Sequence, residues 1–154
     1  MTRKGNMKKI VIFDLDGTLA LIDKRRDIST DDKGKMDWSK FFDPTMVDLD
    51  DPNTPVITMA NLLSTDYHIW ILSGRSDVTH QATIYWLAKH NVNYDHLVMR
   101  PQNLLYMADN DLKQMWLDSI GKDNVAMVFD DRQQVVDMWR QNGLTTFQVA
   151  DGDF

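Results

Sequence analysis

The stretch IVIFDLDGTLA, residues 10–20, decides how the rest of the chain is read. Ile10, Val11, Ile12 and Phe13 form an unbroken apolar run rich in β-branched side chains, which suits a strand buried on both faces. The run ends in Asp14, and Gly17 permits a tight turn immediately beyond it. Two carboxylates two residues apart, Asp14 and Asp16, where a strand opens into a loop, can point at different atoms of one ligand. Asp-Gly is also an ordinary turn pair, but a turn needs neither the first Asp nor the trailing Thr18.

Similar short apolar runs recur at 68–72, 96–99, 125–129 and 145–149, making five predicted strands with the run at 9–13. Between them lie segments of helical spacing, such as Leu112, Met115, Trp116 and Ile120, and then Val135, Val136 and Trp139 before Gly143. Alternating strands and helices predict an α/β fold with a doubly wound, mostly parallel five-stranded sheet. Ligands of such sheets bind beyond the carboxyl ends of the strands, near the switch in strand order. Asp14, Ser73, Arg100 and Asp130 all stand at strand ends of that kind.

The length, 154 residues, suits one domain spanning 1–154 with a core of its own. The absence of cysteine excludes disulfides, thiolate metal sites and a cysteine nucleophile. The longest apolar stretch is too short to span a membrane, and residues 1–6 lack the apolar run of a secretory signal. A soluble cytoplasmic protein with no membrane association is expected, and no obligate protein partner is evident. The formal charge of -6 argues against a basic footprint on duplex nucleic acid, although it leaves room for gripping a strand end. The 10 methionines and five tryptophans read as core filling in a chain that is 43% hydrophobic.

Residues 19–55 break the rhythm. This polar segment has no convincing strand, and a structureless loop of that length is unusual in a compact domain. It is predicted to form a small flap or cap with one short helix near Trp38 and Phe42. Within it, Lys24, Arg25 and Arg26 are candidates for following a strand backbone, or else a solvated edge. Trp38, Phe41 and Phe42 are candidates for stacking on a base, or else the apolar face of the helix.

Asp14, Leu15, Asp16, Gly17 and Thr18 resemble the first motif, DxDGT, of the haloacid-dehalogenase superfamily. That resemblance implies attack on phosphorus by Asp14, an aspartyl-phosphate, and its hydrolysis. Asp16 matches the phosphatase branch, where it implies a general acid and base. ILSGR is similar to the second motif, implying phosphate contacts from Ser73, Gly74 and Arg75, with Thr18 alongside. Lys113, early in NDLKQMWLDSI, resembles the lysine of the third motif. Asp130 and Asp131 after VAMVF resemble the fourth; adjacent acids are hard oxygen ligands suited to Mg²⁺, though one could serve as a helix N-cap. Four carboxylates and a phosphate monoester need cations to approach one another. Lys113 and Mg²⁺ are therefore expected at the site, with Asp14, the backbone carbonyl of Asp16, Asp130 and Asp131 as metal ligands.

The run FDDRQQVVDMWRQNGLTTFQVADGDF is similar to the end of the 3'-phosphatase domain of bacteriophage polynucleotide kinase and its relatives. This implies removal of a 3'-phosphate from a nucleic-acid end or nucleotide, with Arg75 and Arg100 as phosphate or strand contacts. Asp109 is implied to hold the Lys113 ammonium in a DxxxK pairing, with an N-cap role also open. No GxxxxGK[ST] loop is present, so no kinase domain is expected in this chain. Two other readings stay open: a nucleotidase for 5'- or 3'-mononucleotides, which the acidic charge favours, and a non-catalytic metal or nucleotide-binding module.

Overall fold

The computed structural model describes residues 8–152. The start at 1–6, read above for a signal segment, lies outside the described residues, as do Asp153 and Phe154 of the closing GDF. In chain order the regular elements are β1 (Ile10–Phe13), β2 (Ala20–Leu21), α1 (Asp23–Ser29), α2 (Trp38–Phe41), β3 (Asp51–Pro52), α3 (Thr54–Leu63), β4 (His68–Ser76), α4 (His80–Lys89), β5 (His96–Arg100), α5 (Asp109–Ile120), β6 (Val125–Asp130), α6 (Gln133–Gln141) and β7 (Thr146–Gln148). A 3-10 turn, Pro44–Leu49, links α2 to β3.

Five strands form one parallel sheet in the order β5-β4-β1-β6-β7, as the alternating pattern predicts. β1 sits at the centre because it is buried throughout. Its side chains alternate between faces, which divides the core in two. Val11 and Phe13 pack with α3 and α4 residues Val56, Ile57, Ala60, Trp86 and Leu87. Ile10 and Ile12 face the other way, against α5 and α6 residues Leu117, Val135, Met138 and Trp139. Each face thus carries two helices, the doubly wound arrangement. Phe13 and Phe129 stack across the β1–β6 pair with ring centroids 4.6 Å apart, fixing the register that sets Asp14 beside Asp130.

The chain leaves β1 toward β4 on one side and returns as β6 on the other, so the order switches at β1. Strand β4 runs four residues past its predicted end, through a register irregularity between Ser73 and Ser76. That bulge carries Gly74 and Arg75 over the sheet edge.

The segment between β1 and α3 departs from expectation. It holds two helices rather than one, and its base is closed by the antiparallel pair of β2 and β3. Helix α1, sequence DKRRDIS, escapes a periodicity search because Arg25, on its inner face, is ionic rather than apolar, although wholly buried. The short α2, near Trp38 and Phe42, is where the aromatic cluster placed it. Trp86 Nε1 donates to the Asp50 carbonyl at 2.9 Å and ties the flap to α4. Among the described residues, no helix is long and apolar enough to cross a membrane.

Candidate active site

Asp14 leaves β1 with its backbone N–H donating to the Phe129 carbonyl at 2.9 Å, so its carboxyl emerges at the switch in strand order. Asp130 ends the neighbouring strand and Asp131 follows it. Oxygens of Asp14, Asp130 and Asp131 lie within 4.8 Å of one another, and all three residues are buried. Each acid is held by a specific donor. Asp130 receives Trp139 Nε1 at 3.1 Å and the Asp131 backbone N–H at 2.8 Å. Asp131 receives the Thr18 hydroxyl at 3.2 Å. Gly17, with φ at 82°, passes so close that a Cβ there would stand 2.1 Å from Asp131 Oδ2. No other residue fits that turn, which gives the Gly of the first motif its physical reason.

Lys113 projects from the start of the second turn of α5 into this cluster. Its ammonium donates to Asp14 at 2.8 Å and to Asp130 at 3.1 Å. The two carboxylates hold the ammonium protonated against the cost of burial. Burial, reinforced by Asp130, raises the Asp14 carboxyl well above the usual carboxylate range despite Lys113. Burial also raises Asp131. One ammonium against three carboxylates leaves an excess of negative charge. Three convergent hard oxygen donors with that excess fit a divalent cation such as Mg²⁺.

Asp16 points elsewhere. Its carboxylate meets Arg75 and Arg25, the latter at 3.0 Å, and both guanidiniums also reach Asp50, at 3.2 and 3.0 Å. Against the cost of burial, the two arginines hold the Asp16 carboxyl at about 2. Asp50 is wholly enclosed, and burial pushes it up to about 6 despite the same arginines. Arg25 completes its contacts on the Phe41 carbonyl at 3.2 Å and over the Phe41 ring at 4.4 Å. The flap is therefore bolted to the site through a buried quartet. Sequence reading missed Arg25 and Asp50 as members of it. The basic trio divides: Lys24 pairs with Asp51 at the surface, Arg25 is buried, and Arg26 lines the cleft.

Ser73 is buried within β4, where its register becomes irregular, and its hydroxyl accepts from the Arg75 backbone N–H at 3.1 Å. Gly74 allows a close approach, since a Cβ there would lie 2.6 Å from Asp109 Oδ1. Arg100 and Asp109 differ from their expected partners. Arg100 donates to the carbonyls of Gly74, Leu104 and Met107 at 2.8, 2.7 and 2.6 Å and pairs with Asp109. It braces the loop between β5 and α5. Asp109 bridges Arg100 and Arg132, the latter at 2.6 Å, while the Lys113 ammonium is held by Asp14 and Asp130. The α5 N-cap is Ala108, so Asp109 does not cap that helix.

These groups border a cleft of about 880 Å³, lined by Asp14, Asp16, Arg75, Lys113 and Asp131 at its floor. A buried carboxylate at a strand end, a compensating lysine and a cation-ready acid cluster are together the kind of arrangement that can receive and transfer a phosphoryl group.

Known proteins place this geometry. The family described as "Polynucleotide kinase PNKP phosphatase domain" matches residues 8–154. A "Putative bifunctional polynucleotide kinase/RNA ligase" of Autographa californica nuclear polyhedrosis virus is 33% identical over 148 residues, covering 92% of this chain and 19% of the relative. A chain in the structure of the Pnkp1/Rnl/Hen1 RNA repair complex is 35% identical, with a TM-score of 0.80 over 100% of this chain and 46% of its own. This chain thus spans only a fraction of those relatives. The fold alone is shared, at 15% identity and a TM-score of 0.58, with a haloacid-dehalogenase family enzyme from Bacteroides thetaiotaomicron in complex with magnesium and inorganic phosphate, matching over 96% of each chain. Sequence match, fold and site geometry agree: the chain belongs to the polynucleotide kinase phosphatase-domain family and is a phosphoric monoester hydrolase of haloacid-dehalogenase type.

Proposed function

We propose that this protein removes the 3'-phosphate from nucleic-acid ends or nucleotides in a Mg²⁺-dependent reaction through an aspartyl-phosphate on Asp14. The observation that carries the reading is Asp14 at the cleft floor, with an oxygen within 4.8 Å of oxygens of Asp130 and Asp131, and held by Lys113. The family match and the polynucleotide kinase name of the viral relative support a nucleic-acid end as substrate.

Asp14, the Asp16 backbone carbonyl, Asp130 and Asp131 would hold the metal. Bound there, Mg²⁺ supplies positive charge that lets a carboxylate and a phosphate dianion approach. A carboxylate oxygen of Asp14 attacks phosphorus; the new O–P bond forms as the bond to the sugar 3'-oxygen breaks. Asp16 gives its proton to that leaving oxygen. A water molecule then attacks the aspartyl-phosphate, Asp16 takes its proton, and Asp14 is regenerated with release of inorganic phosphate. Lys113, and Arg75 near the end of β4, neutralise the phosphoryl oxygens, with Ser73 and the Gly74 backbone bounding them.

The role of Asp16 carries a condition. In the structure Arg75 and Arg25 hold it ionised. A phosphate dianion gives Arg75 a competing anionic partner, loosening its hold and raising the Asp16 carboxyl toward a range where it can carry a proton. A panel of 3'-phosphorylated DNA, 3'-phosphorylated RNA and mononucleotides phosphorylated at either end tests the substrate. Asp14→Asn should abolish phosphate release while leaving the fold intact. Parental turnover by Asp14→Asn would remove the covalent route, and equal rates on all mononucleotides with no gain from longer strands would favour a nucleotidase.

A further inference from the structure

Away from the acids, the cleft wall becomes aromatic. Trp38, on the flap, is 59% exposed, and Tyr106, between β5 and α5, is 98% exposed; both line the cleft that contains Asp14. Neither ring serves the core; Trp38 is braced by other rings, whereas for Tyr106 it is the loop backbone that is held. Trp38 stacks on Phe42 at 5.8 Å between centroids and meets the buried Phe41 edge-on at 5.7 Å. Phe41 in turn lies beneath the Arg25 guanidinium. The loop bearing Tyr106 is pinned by Arg100, which grips the carbonyls of Leu104 and Met107 on either side of it.

A group resting on these rings shares one cleft with Asp14, so it can belong to the same ligand as a phosphate received at the floor. The cleft volume of about 880 Å³ lies in the range that accommodates a ligand of nucleotide size. Flat, pre-positioned aromatic faces beside a phosphate site match the π-face that every base offers, independent of sequence. In a duplex only the terminal pair leaves one face uncovered, so rings that grip more than one base require unpaired nucleotides.

Resting on the 3'-phosphatase reading above, we infer that Trp38 and Tyr106 form a stacking clamp for the unpaired bases adjoining the 3'-phosphate. The clamp selects single-stranded ends by binding and leaves the chemical step to the cleft floor.

The test is steady-state kinetics with Mg²⁺ on a single-stranded 3'-phosphorylated oligonucleotide, for the parent, Trp38→Ala, Tyr106→Ala and the conservative Trp38→Phe. Each alanine variant should raise KM about 10-fold, the effect of losing one base–aromatic stack, with kcat within about twofold of the parent. Trp38→Phe should recover most of the loss. On the same oligonucleotide with its last two nucleosides abasic, the gap between parent and variants should close, because no base remains to stack. Unchanged KM in both alanine variants, or an equal deficit on the abasic strand, overturns the clamp while phosphate release leaves the phosphatase reading intact. If glycerol 2-phosphate is hydrolysed but no 3'-phosphorylated strand is, the reading beneath the clamp fails instead.

Discussion

Replacing Arg25 with methionine should unfold the flap from the site. Arg25 is wholly buried and its guanidinium makes four hydrogen bonds: two to Asp50 at 3.1 and 3.0 Å, one to Asp16 at 3.0 Å and one to the Phe41 carbonyl at 3.2 Å. Methionine keeps much of the length but none of the charge, so Asp50 remains enclosed with Arg75 as its cation. Removing one partner from a buried, hydrogen-bonded pair typically costs about 3–5 kcal/mol. For a chain of this size that corresponds to a fall of roughly 6–20 °C in unfolding temperature. The assay is urea denaturation followed by circular dichroism, with the single variants Arg25→Met and Asp50→Leu and their combination. Because the penalty is a buried carboxylate stripped of one of its two cations, the double variant should lose less than the sum of the singles, with coupling of about 1–3 kcal/mol. A loss below about 1 kcal/mol, typical of solvated ion pairs, would refute the quartet as a structural bolt. So would simple additivity.

Further outcomes follow from the charges. Asp50 sits at about 6 when folded against an ordinary 3.8, so the folded state binds its proton more tightly; this stabilisation is complete below pH 4 and is lost as pH rises through 6. The shift corresponds to about 3 kcal/mol. Asp50→Asn should remove that component from a plot of stability against pH, and an unchanged slope between pH 4 and 6 would contradict it. Asp16, lowered to about 2, contributes in the opposite sense, stabilising above pH 4 and losing its effect toward pH 2. Chelation should abolish phosphate release. Adding Mg²⁺ at a hundred times its dissociation constant should stabilise the protein by about 2.7 kcal/mol in thermal unfolding. Asp130→Asn should weaken that response, and an identical shift in the variant would exclude Asp130 as a ligand.

Strand and helix order were legible because the sheet is buried on both faces, so its central strands appear as apolar runs, two of which, β1 and β6, lead into Asp14 and Asp130. The run VAMVF placed Asp130 beside Asp14 only through parallel pairing, a step the alternating pattern supports. The flap was less legible. Its inner face carries Arg25 and Asp50, and a search for apolar periodicity has no means of seeing a buried salt-linked helix. Arg100 and Asp109 were identified as site residues, but their partners depended on the loop path: Arg100 turns back onto backbone carbonyls, and Asp109 lies between two guanidiniums rather than on Lys113.

The amino-acid order alone determined the α/β architecture, the strand ends at which chemistry can occur, and the residue types available there. Those properties are local, written in apolar runs and in the acids and glycines that close them. Which acids share a cation, which one is captured by arginines, and which aromatic rings stay exposed at the cleft were decided only by tertiary structure. Each depends on groups up to 113 residues apart meeting in a buried space, as Thr18 and Asp131 do, where loss of water makes every pairing or its absence count.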